Sequence, residues 1–408
     1  MRRVVITGIG AVSALGNEWS SVEAALRAGR NRVRRIDEWD SVDGLNTRLG
    51  APVTDFEVPE YYPRKKLRSM GRVSTMAVSA SERALEQAGL LEHPSLTNGS
   101  TGVSYGSCMG TPHDVLPLAR VLTDNTTLGL TGSTYLRSMT HTATVNIGLF
   151  FNITGRMVTT TSACTSGSQG LGYAYEAIKY GMQDAMVAGG AEEFCVTPVA
   201  VFDTLFATST ANDNPESTPK PFDRDRDGLV LGEGACSFVL EELEHARERG
   251  AVILGEIVGF GTNSDGTHVT EPNANTMALA MTGALRDAGV HPDQIGYVNA
   301  HGTATAKGDV AETRATEKVL GRGKPVSSLK SYIGHTLGAC GALEAWMTLE
   351  MMRTGWFAPT INLDNVDPDC GKLDYITGAG RTLDCDYVMT NNFAFGGINT
   401  SLVLKRWN

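Results

Sequence analysis

Three residues of the chain have side chains and neighbours suited to acyl transfer through a thiol. Cys164 lies in TTTSACTSGSQG, His301 in NAHGTAT and His335 in KSYIGHTLGACG. A cysteine thiolate attacks carbonyl carbon atoms. The small Ser, Thr and Gly residues beside Cys164 leave room for a thioester substrate. These segments therefore predict a nucleophilic cysteine accompanied by two imidazole groups.

The same residues also have structural interpretations, which the local sequence leaves open. A buried cysteine is usually a small core hydrophobe, and a histidine in a polar turn is often only hydrogen-bonded there. The other cysteines and histidines lack comparable settings: Cys108, Cys195, Cys236, Cys340, Cys370, Cys385, His93, His113, His141, His245, His268 and His291. The chemical interpretation therefore depends on whether Cys164, His301 and His335 meet in space.

The sequence around Cys164 predicts a sharp turn from a strand into a helix. A β-branched run precedes the cysteine, and a helix is expected from Ser166 to Tyr180. The free backbone N–H groups at a helix N-terminus carry partial positive charge, which lowers the pKa of a nearby thiol. We therefore expect a lowered pKa for Cys164 and a sulfur atom exposed at the edge of a sheet.

The elements that must bring these loops together occur twice along the chain. ERALEQAGL (82–90) and GALRDAGV (283–290) both read as helices that end in a glycine C-cap. Strand, small-residue loop and long helix then follow at 157–181 and again at 324–355. The alternative is a chance recurrence of Ala, Leu and Gly. The repeated order favours an internal duplication.

The two predicted halves meet near Arg249 and Gly250. Residues 1–250 would carry the nucleophile, and residues 251–408 would carry both histidines. Alternation of strands and helices in each half favours an α/β fold whose sheets are covered by helices. Since duplicated halves pack about a pseudo-twofold axis, loops at equivalent strand ends would converge and bring Cys164 near the imidazoles.

Composition excludes several other classes of protein. The 408 residues are 41% hydrophobic and 20% charged, as in ordinary globular chains, and the net charge of −10 argues against general nucleic-acid binding. Seven cysteines without a CxxC or zinc-like grouping favour a reduced, cytoplasmic setting. Every apolar stretch is shorter than the roughly 18 residues of a membrane span. The start, MRRVVITGIGAVSALG, is predicted to be a strand and turn instead of a signal peptide.

Several motifs in collinear order carry a family resemblance over essentially the whole chain. They are VVITGIGAVSALG (4–16), ACTSG (163–167), PFDRDRDGLVLGEGA (221–235), HGTAT (301–305), KSYIGH (330–335), PTINLD (359–364) and NNFAFGG (391–397). With these motifs the chain resembles the elongating 3-ketoacyl-[acyl carrier protein] synthases of the thiolase superfamily. The resemblance implies a thiolase-like duplicated αβαβα layered fold. It also implies decarboxylative condensation of an acyl group with a malonyl thioester, in fatty-acid or related polyketide or polyene chain elongation.

The resemblance implies roles for the residues in these motifs. Cys164 would accept the acyl group, and His301 and His335 would be the active-site histidines, both stabilising the enolate formed on decarboxylation. Lys330 would support the histidine network, with Glu344 as its acidic neighbour. The resemblance implies no metal or redox cofactor. It implies substrates that are carried on the phosphopantetheine of an acyl carrier protein.

Further residues match the parts of the family site that hold the substrate. The backbone N–H groups of Cys164 and Phe393 would form the oxyanion hole, with Phe393 as the gating aromatic residue. Thr303 and Thr305 would contact the phosphopantetheine arm, and Met109 would limit the depth of the acyl pocket. Ala394 departs from the family pattern, which has glycine there, and its Cβ would restrict a loop that must move.

A basic segment near the N-terminus implies a protein partner. Its residues are Arg64, Lys65, Lys66 and Arg68. One interpretation is a solvated helix face; the other, favoured by the negative net charge of the chain, is a dock for an acidic acyl carrier protein. We expect a homodimer, and a heterodimer with a related ketosynthase-like subunit is the alternative. Nucleic acid and membrane are not expected partners.

Two alternative functions stay open on the sequence. A pocket-shaping, non-condensing subunit of a heterodimeric ketosynthase would share the fold, but such subunits typically lack the nucleophile that Cys164 supplies. A coenzyme-A-dependent thiolase would need a late cysteine, and the NNFAFGG motif has none. Pigment or polyketide assembly, in place of fatty-acid synthesis, is an alternative within the favoured class.

Overall fold

Runs of Val, Ile, Thr and Ala alternate with helices along the chain and fold into one large mixed sheet with helices on both faces. The computed structural model describes residues 1–407. The strands are β1 (Val4–Ser13), β2 (Arg34–Arg35), β3 (Leu49–Ala51), β4 (Thr101–Gly106), β5 (Met157–Thr160), β6 (Ala185–Glu192), β7 (Leu231–Gly232), β8 (Gly234–Glu242), β9 (Gly255–Ser264), β10 (Ile295–Asn299), β11 (Pro325–Ser327), β12 (Trp356–Phe357), β13 (Asp374–Tyr375), β14 (Arg381–Thr382), β15 (Tyr387–Ala394) and β16 (Ile398–Lys405).

The α-helices connect these strands. They are α1 (Trp19–Arg27), α2 (Arg64–Leu67), α3 (Arg72–Ala88), α4 (Val115–Thr123), α5 (Gly132–Ser138), α6 (Thr142–Phe151), α7 (Ser166–Lys179), α8 (Val196–Thr204), α9 (Leu243–Glu248), α10 (Ala274–Ala288), α11 (Ala306–Leu320), α12 (Lys330–Ile333) and α13 (Cys340–Thr354). In the described part of the chain, none of the helices has the length and apolar character needed to cross a bilayer.

The large sheet contains the same arrangement of five strands twice, and β13 adds an eleventh strand at one edge. Its order is β13-β11-β10-β15-β16-β9-β1-β8-β6-β4-β5, and the antiparallel pairing of β1 with β9 joins the two parts. Outward from this joint, β1-β8-β6-β4-β5 matches β9-β16-β15-β10-β11, with two antiparallel pairings followed by two parallel ones in each part. The repeat seen in the sequence thus has a counterpart in topology, while the boundary at residue 250 stays a prediction.

Helices form three layers around the two parts of the sheet. α3 packs on β1 and β8, and α10 packs on β9 and β16 as its counterpart. α7 and α13 pack against each other and against both parts of the sheet. Every residue of α13 from Cys340 to Met352 is buried, as expected of a central helix. The α/β class and the αβαβα layering are therefore confirmed.

The helix ends agree with the sequence signals that predicted them. Gly89 follows α3 and Gly289 follows α10 as C-cap residues, with φ 68° and 64° in the left-handed region that glycine tolerates best. α7 begins at Ser166 as expected and ends at Lys179. The N-terminal ends of α7 and α13 lie together, since Cys340 at the start of α13 contacts Cys164 just before α7.

Candidate active site

A tight turn between β5 and α7 carries Cys164. The preceding residue, Ala163, has φ +50°, an uncommon left-handed conformation for a residue with a Cβ atom. The Ser162 N–H donates to Ser166 Oγ at 2.9 Å, and that hydroxyl donates to the Ala163 carbonyl at 2.7 Å. These local bonds hold the strained turn and fix the direction of the cysteine side chain.

The structure brings the cysteine and both histidines into one cavity. His335 Nε2 lies 2.9 Å from Cys164 Sγ, and the rings of His301 and His335 are 5.1 Å apart and nearly perpendicular, at 87°. All three side chains line a cavity of about 410 Å³. Residues separated by 171 positions along the chain, Cys164 and His335, are thus in direct contact.

Hydrogen bonds to the far side of each ring decide where the imidazole proton sits. His335 Nδ1 accepts the Leu337 backbone N–H at 3.2 Å. His301 Nδ1 lies 3.2 Å from Lys330 Nζ and 3.4 Å from Asn392 Nδ2. Because these neighbours are donors, both Nδ1 atoms act as acceptors and the ring protons are on Nε2. Both histidines therefore point an N–H donor into the cavity.

Both histidines are electrically neutral in this setting. Burial lowers the pKa of His301 well below its usual value, and the positive charge of Lys330 lowers it further. The pKa of His335 is lowered well below the usual value by the same two causes. Protonation of either ring would also set an Nδ1–H against an existing donor. The two rings therefore act as hydrogen-bond donors without carrying positive charge.

A buried ion pair supports His301 from behind. Lys330 and Glu344 form the pair, with side chains that are each 1% exposed, and Asn392 Nδ2 donates to the other Glu344 oxygen at 2.7 Å. Burial lowers the pKa of Lys330, but the nearby Glu344 carboxylate more than offsets this and the net shift is upward. Lys330 thus remains an ammonium group that donates to His301 Nδ1.

The thiol of Cys164 is less acidic than the sequence suggested. Cys164 is 4% exposed. Burial raises its pKa to about 11, and the opposing influences of Lys330 and of nearby backbone N–H groups are smaller. The predicted lowering of this pKa and the predicted exposure of the sulfur are therefore wrong for this conformation. Donation from His335 Nε2–H to the sulfur is the contact that stabilises the thiolate once it forms.

The second backbone donor near the cysteine belongs to Phe395. The backbone N–H groups that lower the pKa of the Cys164 thiol are those of Phe395 and of Cys164 itself, so the donor role predicted for Phe393 is assigned to Phe395 instead. Phe393 lies within β15 and pairs with Asn399, whereas Phe395 follows the end of the strand. The Phe395 ring stacks on Phe202 at 5.1 Å. The gating position predicted for Phe393 therefore also fits Phe395 better.

The substrate-contacting residues predicted from the sequence fall in different places. Thr303 and Thr305 both line the cavity, with hydroxyl oxygens 3.0 Å apart. The cavity wall, as formed by residues 1–407, does not include Met109. The backbone N–H of Met109 donates to buried Glu192 at 3.2 Å. Its role in limiting acyl length stays a prediction.

The basic segment at α2 is only partly free for docking. Arg64, Lys65 and Arg68 are exposed. Lys66 is half-buried, because its Nζ donates to the Phe150 carbonyl and lies 4.8 Å from the centre of that ring. A docking surface at this segment would therefore depend on three cations of the four predicted.

Cys164, His301 and His335 also resemble a metal-binding group in type and spacing. One nitrogen from each ring and the sulfur lie within 4.8 Å of one another. A histidine that binds a metal normally donates its other ring N–H to an acceptor. Here the outer neighbours of His301 and His335 are donors, so metal binding through Nε2 would place the Nδ1–H of each ring against a donor. The surroundings fit two neutral Nε2–H donors better than a metal centre.

Sequence reasoning missed several residues that hold this site. Glu312 accepts the backbone N–H groups of His301 and Gly302, each at 2.7 Å, and so fixes the loop after β10. Cys340 donates its thiol to the Cys164 carbonyl at 3.2 Å. Asn392 bridges His301 and Glu344. Only Asn392 lay in a recognised motif.

Comparison with known proteins places this geometry in a family. Residues 1–246 match the family described as Beta-ketoacyl synthase, N-terminal domain, and residues 254–364 match Beta-ketoacyl synthase, C-terminal domain. The chain is 39% identical to the 3-oxoacyl-[acyl-carrier-protein] synthase 2 of Vibrio cholerae, and the alignment covers 99% of each protein.

Solved structures show the same relationship. A beta-ketoacyl synthase from Burkholderia phymatum matches with a TM-score of 0.99 and 57% identity over 100% of both chains. The ishigamide ketosynthase/chain length factor matches with a TM-score of 0.90 and 33% identity over 100% of both chains. With both halves of the sequence matched and the fold shared throughout, the chain belongs to the beta-ketoacyl synthase family.

Proposed function

We propose that the chain is a 3-ketoacyl-[acyl carrier protein] synthase that condenses an acyl group on Cys164 with a malonyl group on a carrier protein. The observation that carries the proposal is the pair of neutral imidazoles, His301 and His335, whose Nε2–H donors face the cysteine. A cavity with one thiol and two such donors suits a reaction in which negative charge develops on a thioester oxygen.

The first half-reaction transfers the acyl group to the enzyme. Cys164 Sγ attacks the carbonyl carbon of the acyl thioester, and the oxyanion accepts from the N–H groups of Cys164 and Phe395. The bond from carbon to the carrier sulfur breaks, and the thiol proton leaves with the carrier thiol. His335 Nε2–H, 2.9 Å from Sγ, stabilises the attacking thiolate. The product is an acyl thioester on Cys164.

The second half-reaction forms the carbon–carbon bond. The malonyl thioester loses carbon dioxide, and the electrons of the broken bond form an enolate whose oxygen accepts from His301 and His335 Nε2–H. The enolate carbon attacks the acyl carbonyl on Cys164. The same two backbone donors stabilise the second oxyanion, and Cys164 leaves as a thiolate that takes a proton from solvent. These steps need no metal or redox cofactor, and we propose none.

The carrier protein must deliver its phosphopantetheine arm through the mouth of this cavity. The rim is apolar and exposed, with Leu205 at 48%, Phe206 at 87% and Val269 at 63% exposure. We propose that an acidic acyl carrier protein rests on this rim and on the cations Arg64, Lys65 and Arg68. A partner that presents both apolar and acidic side chains would bind by both kinds of contact.

Charge reversal tests this docking surface. The triple variant Arg64→Glu, Lys65→Glu and Arg68→Glu should raise the KM for acyl carrier thioesters and weaken its salt dependence. A matched triple reversal at Arg286, Arg314 and Lys318, exposed on α10 and α11, is the control for a general charge effect. If both triples change the KM equally, carrier docking at α2 is wrong.

We propose a homodimer as the functional assembly, with a heterodimer containing a related ketosynthase-like subunit as the alternative. Strand β5 ends the large sheet, and its residues Met157 and Thr159 are exposed. An exposed edge strand is usually covered by another chain or shielded by charge. Sedimentation of the purified chain should give a dimer, and Thr159→Lys should give monomers. A monomeric wild type that dimerises only with a second ketosynthase-like chain would favour the heterodimer.

We infer the cellular location from the state of the cysteines. All seven are free thiols in the structure. This supports the proposal of a reduced, cytoplasmic environment.

Release of labelled carbon dioxide tests the function directly. With acyl and malonyl carrier thioesters, the wild type should release carbon dioxide and form a 3-ketoacyl carrier product in equal amounts. A non-condensing partner subunit would release carbon dioxide without that product. A thiolase would instead use coenzyme A esters and condense without decarboxylation. Absence of the 3-ketoacyl product with every carrier thioester supplied would contradict the proposal.

A further inference from the structure

A buried carboxylate outside the cavity joins two loops of the site. Glu192 ends β6, and its side chain is 2% exposed. Its Oε2 accepts the backbone N–H groups of Cys108 at 2.8 Å and Gly338 at 3.0 Å, and its Oε1 accepts that of Met109 at 3.2 Å. Cys108 and Met109 follow β4, whereas Gly338 follows His335. One side chain therefore binds loops from both halves of the fold.

The Gly338 contact lies next to the bond that sets the proton on His335. Leu337 N–H donates to His335 Nδ1, and the next N–H along the chain, that of Gly338, donates to Glu192. Leu337 has φ +46°, a left-handed conformation that a residue with a side chain keeps only when its surroundings enforce it. The Glu192 bond is one such constraint, because it anchors the residue that follows Leu337.

Close packing at Gly338 makes the contact specific. A Cβ atom on Gly338 would lie 2.7 Å from Glu192 Oε2 and 2.8 Å from the Cys108 nitrogen. The two loops therefore touch at this glycine, and any larger residue would push Gly338 away from Glu192. Burial raises the pKa of Glu192 to about 7, and the N–H groups of Cys108, Gly338 and Met109 oppose that rise.

We propose that Glu192 is a positioning residue that keeps the proton of His335 on Nε2 by clamping the loop after His335 to the loop after β4. Without the clamp, Leu337 relaxes from its left-handed conformation and its N–H leaves His335 Nδ1. The ring then also adopts the tautomer with the proton on Nδ1. In that tautomer Nε2 presents a lone pair to Cys164 and to the enolate, where a donor is required.

Glu192→Gln tests the clamp with little change of volume. Both carboxylate oxygens accept N–H groups, so the amide NH₂ of glutamine must face at least one donor and release a loop. Glu193→Gln is the matched control. Glu193 is the next residue, is also buried, and accepts the Val73 N–H at 3.1 Å, whereas the N–H groups of Cys108, Met109 and Gly338 donate to Glu192.

The readout is the ¹⁵N NMR spectrum of histidine-labelled protein, with His335 assigned from His335→Asn. Wild type and Glu193→Gln should show His335 protonated on Nε2, and Glu192→Gln should show a substantial Nδ1-protonated fraction. Malonyl decarboxylation should fall about 10-fold in kcat in Glu192→Gln with little change in KM, because a donor in the transition state is weakened. This second readout rests on the proposed function, whereas the tautomer does not.

Each outcome decides the proposal. An unchanged His335 tautomer in Glu192→Gln overturns it, and so does an equal tautomer change in Glu193→Gln. If Glu192→Gln does not fold, Gly338→Ala breaks the same contact from the other loop and should give the same tautomer change. If wild type does not decarboxylate malonyl thioesters, the proposed function fails while the spectra still test the clamp.

Discussion

At Cys164, burial and helix position act on the thiol in opposite directions. The residue lies just before α7, where helix N-terminal N–H groups favour a thiolate. Burial nevertheless raises its pKa to about 11. The thiolate is therefore a minor species at neutral pH, and its chemistry depends on His335 Nε2–H at 2.9 Å.

The pH dependence of alkylation follows from this raised pKa. Because only the thiolate reacts, the rate of iodoacetamide modification of Cys164 should rise about tenfold per pH unit from pH 7 to pH 9, without a plateau in that range. Mass spectrometry of the modified protein measures the rate, with Cys164→Ala as the control for other cysteines. A plateau below pH 8 would show that the thiol is acidic, as the helix position alone suggested.

The two histidines have separable contributions. His301 and His335 each supply one Nε2–H donor to the enolate, so His301→Ala should lower malonyl decarboxylation about 100-fold. Loss of the His301 donor leaves the Cys164 and Phe395 N–H groups, which stabilise the oxyanion of acyl transfer, in place. His301→Ala should consequently still acylate Cys164 at a rate close to wild type, whereas His335→Ala should slow both steps. Equal loss of both steps in His301→Ala would contradict this division of roles.

Much of the site could be predicted from residue types and motifs, but its finer assignments could not. Cys164, His301, His335 and Lys330 stand in motifs of the resemblance, and Glu344 is matched on the helix that follows KSYIGH. The motif NNFAFGG contains two phenylalanines, Phe393 and Phe395, and the sequence alone does not show which backbone N–H is the second oxyanion donor. Only the end of β15 at Ala394 decides which N–H is free to turn toward the sulfur.

Burial likewise has no local signature in the sequence. Lys66 reads as one more cation of a basic segment, yet its ammonium group binds the Phe150 carbonyl. The pKa of Cys164 depends on how closely α13 covers the start of α7, which is a property of packing between distant segments. Such contacts form only in the folded chain, within one half for Lys66 and Phe150 and between the two halves for α7 and α13.

At the scale of elements, α12 and α13 place the buried pair Lys330–Glu344 behind His301. Lys330→Met should lower the free energy of unfolding by about 3 kcal/mol, because it leaves the Glu344 carboxylate buried without its cation. Chemical denaturation measures the change. The double variant Lys330→Met and Glu344→Leu is the control and should recover most of the loss, since it removes both charges. A single variant as stable as wild type would contradict the ionic pairing.

Three contacts fix the position of the loop after β15. Gly396 N–H donates to the Val269 carbonyl at 2.9 Å, Asp265 N–H donates to the Gly397 carbonyl at 2.7 Å, and Phe395 stacks on Phe202. Ala394, the last residue of β15, has a strand conformation, which alanine adopts without needing the freedom of glycine.

Ala394 is expected to limit the rate at which the loop after β15 opens. Ala394→Gly should accelerate acyl loading of Cys164 several-fold, because glycine reaches conformations closed to alanine, and should cost about 0.5–1 kcal/mol of stability. Stopped mass-spectrometric sampling of the acyl-enzyme gives the loading rate. Ala358→Gly, at a buried alanine directly after β12, controls for a general loss of rigidity. Equal loading rates in wild type and Ala394→Gly would show that this residue does not limit opening.

At the scale of the whole molecule, the duplication explains why distant residues converge. The fold class could be predicted because the same order of strand and helix signals occurs twice and each half repeats five strands in one order. The joint between β1 and β9 and the burial of α13 could not be predicted, since they depend on how the halves pack. That packing brings Cys164 from one half to His301 and His335 from the other.

Intact-mass spectrometry during a single turnover tests the central claim most directly. Incubation with one equivalent of an acyl carrier thioester should add the acyl mass to Cys164 and release the carrier thiol. Addition of the malonyl carrier thioester should then return the enzyme to its original mass as a 3-ketoacyl carrier product forms. Acylation at another residue, or an acyl-enzyme that persists after malonyl thioester is added, would contradict the account.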